Sequence, residues 1–334
     1  MAIAWWECVK KTRSNPMDVW SKCILTGIYT LSPLHCGTGQ TTGAIDLPIA
    51  RDAATGFPTL PPTTIKGVAR DYCMLGGMDE STVNDLFGKQ VEQIDKEQAE
   101  IEDSRPVSLE AGALIFSEGR LLAYPVRSLN RPFFHVTCPM ILDRLARDLR
   151  ALGVDGFLSQ PWQGNGMMIE RGRAYVSDRD LAGNALVLED LVFEPNEVIE
   201  LDPLKDLGLR FGDLIPKEED RTRMLLSTGL ILIPNEDFSD LMRRVIPVQA
   251  RIKLNRQSKT SENLWYEEYL PSDCLFLSII GERPGRVNNK QKSAIKKLKE
   301  AFSILERIQM GGNETVGYGL CRWTRFSEKQ VSES

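Results

Sequence analysis

Asp46 stands in a loop that could put a carboxylate to chemical use. Gly37, Gly39 and Gly43 precede it and Pro48 follows two residues later. Glycines admit backbone conformations closed to other residues and let a ligand come close. A carboxylate there can bind a divalent cation or hold a hydroxyl for attack on phosphorus. It can equally be an Asx-turn aspartate bonded to its own loop. His35 lies eleven residues earlier and could act as acid or base near neutrality, or organise the loop. Lys66 and Arg70 are spaced i, i+4, so on a helix they stack one above the other. Beside a helix N-terminus two such cations would complete a phosphate cradle; otherwise they are solvated charges. A second glycine loop, Gly311-Gly312-Asn313-Glu314-Thr315-Val316-Gly317-Tyr318-Gly319, lacks the Gly-Lys-Ser/Thr of a P-loop. It follows a helix and enters a strand, as a helix cap with a bulged strand would.

The elements that must hold these residues are legible in the periodicity. Lys22 to Leu31 alternates as a strand. Thr63 or Thr64 is expected to cap a helix whose apolar stripe is Ile65, Val68, Ala69 and Tyr72. Leu114–Phe116 and Leu121–Pro125 flank Ser117-Glu118-Gly119-Arg120 as a hairpin. Pro139 opens a helix to Arg150, and Asn235 starts another. Ala294 to Ile308 is amphipathic and stops at Gly311, and Val316 to Arg325 is a last strand. Strand, helix, two strands, helix, strand is the ferredoxin-like, RRM-like pattern, in an α+β protein. The aromatic strand by which RRM sheets read RNA is missing from the sequence.

A chain of 334 residues can bury a large core. No apolar run approaches the length of a membrane span, and Met1 to Glu7 does not read as a signal peptide, so a cytosolic protein is expected. The seven cysteines form no C-x-x-C pair, which argues against zinc and for buried, reduced thiols. Net charge is −5, but the charges are segregated, so a nucleic-acid partner is not excluded. Glu92–Asp103 and Glu189–Asp206 are acidic. Arg243, Arg244, Arg251, Lys253, Arg256 and Lys259 share a span without a carboxylate, and Arg283 to Lys299 is a second basic block.

Taken in order, these pieces resemble the RAMP superfamily of CRISPR proteins, from about Ile24 to about Trp323. The nearest likeness is to the backbone subunits of type III-B Cmr complexes. Gly43-Ala44-Ile45-Asp46-Leu47-Pro48-Ile49-Ala50-Arg51 matches that family's G-x-x-D-x-P-I-x-R loop, and Ile65 to Arg70 matches its I-K-G-x-x-R helix. Gly311 to Gly319 matches G-G-N-E-T-V-G-x-G. Tyr124 to Leu129, Val136 to Pro139, and Lys259 to Pro271 resemble further family segments, the last a thumb hairpin whose Trp265-Tyr266 is bulkier than usual.

The resemblance implies a ferredoxin-like palm with helical finger insertions and a β-hairpin thumb. Residues 1–22 would be an extension, 23–326 a single RAMP domain, and 327–334 a tail. The insertions would span about 76–110 and 130–220, and the thumb about 246–281. Copies would stack head to tail on one CRISPR guide RNA, among other Cmr subunits and away from membranes, and cleave complementary target RNA. Asp46 would be the catalytic residue, with His35 a weaker candidate. A weakly bound Mg²⁺ or Mn²⁺ would sit on Asp46. Lys66, Arg70, Arg51, Gly311, Gly312, Asn313, Gly317, Lys253 and Lys259 would bind RNA. The rivals are a guide-binding scaffold that does not cleave, and an enzyme using both glycine loops for a mononucleotide.

Overall fold

The computed structural model describes residues 22–89, 111–154, 157–159, 161–162, 169–283 and 293–326, apart from the side chains of 302–304. In chain order they form β1 (Cys23–Thr30), β2 (Thr59–Leu60), α1 (Pro62–Leu75), α2 (Glu80–Phe87), β3 (Leu114–Phe116), β4 (Gly119–Arg127), β5 (Phe133–Thr137) and α3 (Pro139–Ala151). There follow β6 (Ala174–Val176), β7 (Leu186–Leu188), β8 (Leu191–Phe193), β9 (Val198–Glu200), α4 (Pro203–Gly212), α5 (Asp220–Gly229), β10 (Leu230–Leu232) and α6 (Asn235–Arg244). The chain continues through β11 (Val248–Leu254), β12 (Ser261–Glu268), β13 (Leu275–Glu282), α7 (Ala294–Leu305), β14 (Arg307–Gln309) and β15 (Leu320–Arg325). The extension before Lys22, residues 90–110, residues 284–292 of the second basic block and the tail lie outside the described residues.

The strand order β15-β1-β13-β4 is that of a ferredoxin-like palm. α1 lies between β1 and β4 in sequence, and α7 between β13 and β15. Beyond β4 the sheet runs on through β5, β10, β6 and β9. The stretch read as a helical insertion over 130–220 therefore also contributes strands. The segment that joins its helix α4 to α5 packs on β1. A Cβ at Gly27 would stand 2.2 Å from the Leu214 carbonyl oxygen, so the backbones touch there. That contact covers the Gly27 face of β1, consistent with the missing RRM aromatics.

Several sequence expectations are corrected. The 246–281 hairpin is shorter than expected: β11 and β12 form it alone, in antiparallel register from Val248↔Glu268 to Leu254↔Ser261. β13 is instead a palm strand with every residue buried. The reason lies in its pattern, for Leu275, Phe276, Leu277, Ile279 and Ile280 offer no polar alternation for a solvated face. Leu114–Phe116 and Leu121–Pro125 are not a hairpin, because β3 and β4 both run antiparallel to β13 with a break between them. Helix α1 starts at Pro62 behind Pro61, with no side-chain cap from Thr63 or Thr64. Proline fixes the first turn, and its missing N–H costs nothing there. α6 does start at Asn235, but the Asn235 side chain caps a different helix: its Oδ1 accepts from the Met140 N–H at 2.8 Å, at the start of α3. Arg307–Gln309 leaves the amphipathic helix to pair with β15.

The candidate RNA-cleavage site

Three segments distant in sequence meet at the root of the thumb. The first is the loop from Leu31 to Asp52. Leu34 exchanges both backbone hydrogen bonds with Leu270 at 2.8 Å, and Ala50 donates to the Cys36 carbonyl at 2.8 Å. The second is the end of β12. Leu47 adds to it as a parallel partner: its N–H donates to the Tyr266 carbonyl (3.1 Å), and its carbonyl accepts from Glu268 N–H (3.0 Å). The third is the glycine loop. Gly312 N–H donates to the His35 carbonyl at 2.9 Å, and Gly319 N–H to the Pro33 carbonyl at 2.7 Å. At Gly311, with φ +78°, a Cβ would lie 2.3 Å from the His35 oxygen. Only glycine permits both that φ and that approach.

Asp46 is half-buried at the centre. Its Oδ2 accepts from the main-chain N–H of Tyr266 at 2.8 Å. The Asx-turn alternative does not hold, since the loop's own bond, from Thr41 N–H, goes to the Asp46 main-chain oxygen at 2.9 Å. His35 is buried, and its Nδ1 lies 2.7 Å from the Glu268 carbonyl. A carbonyl only accepts, so Nδ1 carries the proton. Its Nε2 lies under Gly37, where an added Cβ would come within 2.6 Å. That arrangement suits a loop organiser better than a proton carrier beside Asp46.

Two adjacent acids of β12 brace this assembly, and the sequence reading gave neither a role. Glu267 is buried, with Oε2 3.0 Å from Arg251 Nε and Oε1 2.5 Å from Asn313 Nδ2. Glu268 accepts from Arg51 at 2.9 Å and from the Ile49 N–H at 3.1 Å. Buried carboxylates persist only when paired and hydrogen-bonded, and removing one partner costs about 3–5 kcal/mol. The overlooked signal was two consecutive acids in a strand, with Arg51 and Arg251 available to pair with them. Above the glycine loop, Arg251 lies 5.3 Å from the Tyr318 ring centroid, and Tyr318 donates to Gln249 Oε1 at 2.5 Å.

The expected RNA-binding residues divide. Arg51 is engaged by Glu268 and by the carbonyls of Gly56 and Met242, so it clamps the loop. Arg70 is 6% exposed and donates to the Gly88 carbonyl and, at 2.6 Å, to Asn84 Oδ1. It ties α1 to α2 and does not share a cradle with Lys66; two acceptors one helix away outcompete solvent for its fork. Asn313, with φ +63°, turns its side chain to Glu267. Gly312 and Gly317 are exposed. Lys253 pairs with Glu262 at 3.1 Å on the thumb. Lys66 and Lys259 make no ion pair among the described residues. Partial burial, with Arg70 near, holds the Lys66 ammonium below the usual lysine range. Lys259 is exposed at the hairpin tip.

The thumb has two unlike faces. Val248, Ile252, Leu254, Leu264 and Tyr266 share one face by register, each 43–55% exposed. Arg251, Lys253, Asn263 and Trp265 share the other. Among the described residues no three His, Cys, Asp or Glu side chains gather as a metal cage. Glu267 and Glu268 are spent on arginines, so Asp46 can offer a divalent ion one carboxylate. That fits a cation taking its remaining ligands from phosphate and water.

The sequence matches the RAMP superfamily over residues 27–322. It is 32% identical over 309 residues to "CRISPR system Cmr endoribonuclease Cmr4" of Pyrococcus furiosus, across 91% of this chain and 95% of that protein. The crystal structure of oligomeric Cmr4 from the same organism has a TM-score of 0.66 at 27% identity, covering 91% of this chain and 98% of the other. A chain of the type III-B Cmr-beta complex bound to cognate target RNA shares the fold, with a TM-score of 0.66 at 19% identity, covering 93% and 98%. With palm, thumb and glycine loops arranged as described, the chain belongs to the RAMP superfamily and, within it, to the backbone subunits of type III-B CRISPR Cmr complexes.

Proposed function

We propose that this chain holds CRISPR guide RNA in head-to-tail stacked copies and cleaves the paired target RNA at Asp46. The observation that carries the reading is the Asp46 carboxylate, with one oxygen fixed by the thumb root and the loop around it half open. The oligomeric relative supports stacking, and the complex with target RNA supports the choice of substrate. Guide phosphates would meet Lys66 at the uncapped start of α1, and also the exposed glycine loop. Pressed into the duplex, the apolar thumb face would unstack a base and let the target backbone turn.

Asp46 would take the proton of a target 2′-hydroxyl. The O2′–P bond forms as the P–O5′ bond breaks, leaving a 2′,3′-cyclic phosphate and a 5′-hydroxyl that takes its proton from water. In-line geometry is what the turned backbone supplies. A divalent ion on Asp46, Mg²⁺ or Mn²⁺, would supply charge neutralisation at the phosphate.

The test is single-turnover cleavage of a guide-matched RNA by reconstituted complexes. Asp46→Asn should slow it by at least roughly a hundredfold while guide and target still bind. A target with 2′-deoxyribose at the cut position should stay whole. One observation favours the rival scaffold reading: His35 Nε2 is covered, so it offers Asp46 no second proton-transfer group. Full-rate cleavage by Asp46→Asn would leave the scaffold standing.

A further inference from the structure

We propose that Tyr266 is the positioning residue of Asp46, acting through its main-chain N–H, so that the thumb root sets the direction of the carboxylate. This rests on the cleavage reading above and adds to it the group that aims the catalyst.

In the register of the thumb, Tyr266 faces Ala250. Its N–H and carbonyl both point away from β11, toward the Asp46 loop: the carbonyl accepts from Leu47 and the N–H donates to Asp46 Oδ2. In a parallel ladder that N–H would seek a main-chain oxygen of the facing segment, here near Ile45. The Ile45 carbonyl accepts from Thr41 Oγ1 at 2.7 Å, and the Tyr266 N–H goes to the Asp46 carboxylate. The Asp46 side chain therefore occupies the place where the ladder would have continued. An aspartate on an exposed loop ordinarily turns freely about χ1 and χ2. Here one oxygen is pinned to a strand edge, and the loop is closed behind it by the Thr41 N–H on the Asp46 carbonyl.

The donor is a backbone group, so side-chain scanning would miss it. It is also rigidly placed, because Glu267 and Glu268, the next two residues, carry the buried ion pairs of the root. The Tyr266 ring, 43% exposed, stands off the ribbon face and not along the ladder. A charge-assisted N–H bond of this kind both orients a carboxylate and holds it through turnover.

The experiment replaces the amide at Tyr266 by an ester, incorporating the tyrosine α-hydroxy acid in the full chain. The N–H is lost and the side chain kept. Tyr266→Pro removes the same donor but also takes the ring from the apolar thumb face, so the ester, which keeps the ring, carries the comparison. Both go into reconstituted complexes with guide RNA. Single-turnover cleavage at saturating target should fall at least tenfold in both, and in the ester complex, which keeps the ring, target affinity should stay within twofold. In the Asp46→Asn background the ester should cause no further loss. Wild-type cleavage by the ester complex overturns the proposal, and so does a rate loss matched by equal loss of target affinity. If Tyr266→Pro does not assemble, the ester decides. Full-rate cleavage by Asp46→Asn would instead overturn the cleavage reading. An inactive Asp46→Asn beside a fully active ester removes only the positioning role.

Discussion

Two residues of the first glycine loop carry opposite lessons. The carboxylate of Asp46 is bonded across a sequence gap of 220 residues and stays open to a ligand. His35 is closed in. Its Nδ1–H serves the Glu268 carbonyl, and its ring lies under Gly37, so the imidazole holds the loop to the thumb root. Removing it leaves a buried carbonyl without a donor, a cost of about 1–3 kcal/mol. His35→Ala should lower the urea midpoint accordingly. His35→Asn, whose amide can reach the same carbonyl, should restore most of both stability and cleavage. Urea titration and single-turnover rates on the two variants check this. Equal loss of cleavage in both, with stability restored by Asn alone, would return the histidine to an acid–base role.

Among the elements, α1 and the thumb separate what binds from what braces. Lys66 lies near the uncapped end of α1 without an ion pair among the described residues, whereas Arg70 is consumed by α2. Lys66→Ala should reduce the log–log salt slope of guide binding by roughly 0.7, one phosphate contact on a single strand. Arg70→Ala should leave the slope alone and cost about 1–3 kcal/mol in stability, because the Gly88 carbonyl and Asn84 lose a buried donor. Filter binding and urea titration separate the two. The thumb must be shortened above its root, since Glu267, Glu268 and Leu270 are buried in the site. Replacing Ile252–Leu264 by a two-glycine turn keeps the Arg251↔Trp265 pair and removes most of the apolar face. The variant should fold and bind guide RNA. Target cleavage should lose its regular spacing or cease, as product lengths on a sequencing gel would show.

For the molecule as a whole, His135 pins the outer sheet to the palm. It sits on β5, almost fully buried, with Nε2 3.1 Å from the Asp273 carbonyl in the turn before β13. Burial lowers its pKa to about 4 against 6.5 unfolded. The unfolded chain thus binds the proton first, and stability present above pH 6.5 is lost as pH falls toward 4. The full loss is about 3 kcal/mol. Asp273 works with the opposite sign: burial raises its pKa, so its own stabilisation is greatest at acid pH and fades as pH rises. The histidine's own contribution changes between pH 6.5 and 4. His135→Gln, which keeps a donor for the carbonyl, should flatten the change in urea midpoint across that range. An unchanged slope would remove His135 as its source.

The sequence by itself determined the family and the palm, and pointed to the loop where chemistry is proposed. Glycine spacing, a lone aspartate before Leu47-Pro48 and the apolar stripe of Ile65, Val68, Ala69 and Tyr72 are local facts, read without knowing what lies across from them. The periodicity of β1, α3 and α7 was legible for the same reason, since each buries one face or one stripe against whatever core exists. Tertiary structure decided everything that depends on a partner. Arg51 and Arg70 read as free cations, and only the fold could show them spent on Glu268 and on the Gly88 and Asn84 oxygens. Where the thumb ends depended on β13 being enclosed in the palm sheet, a property of its neighbours β1 and β4. Which group aims Asp46 was the least legible of all, because a main-chain N–H has no letter in the sequence and gains its role only when two segments 220 residues apart come to lie side by side.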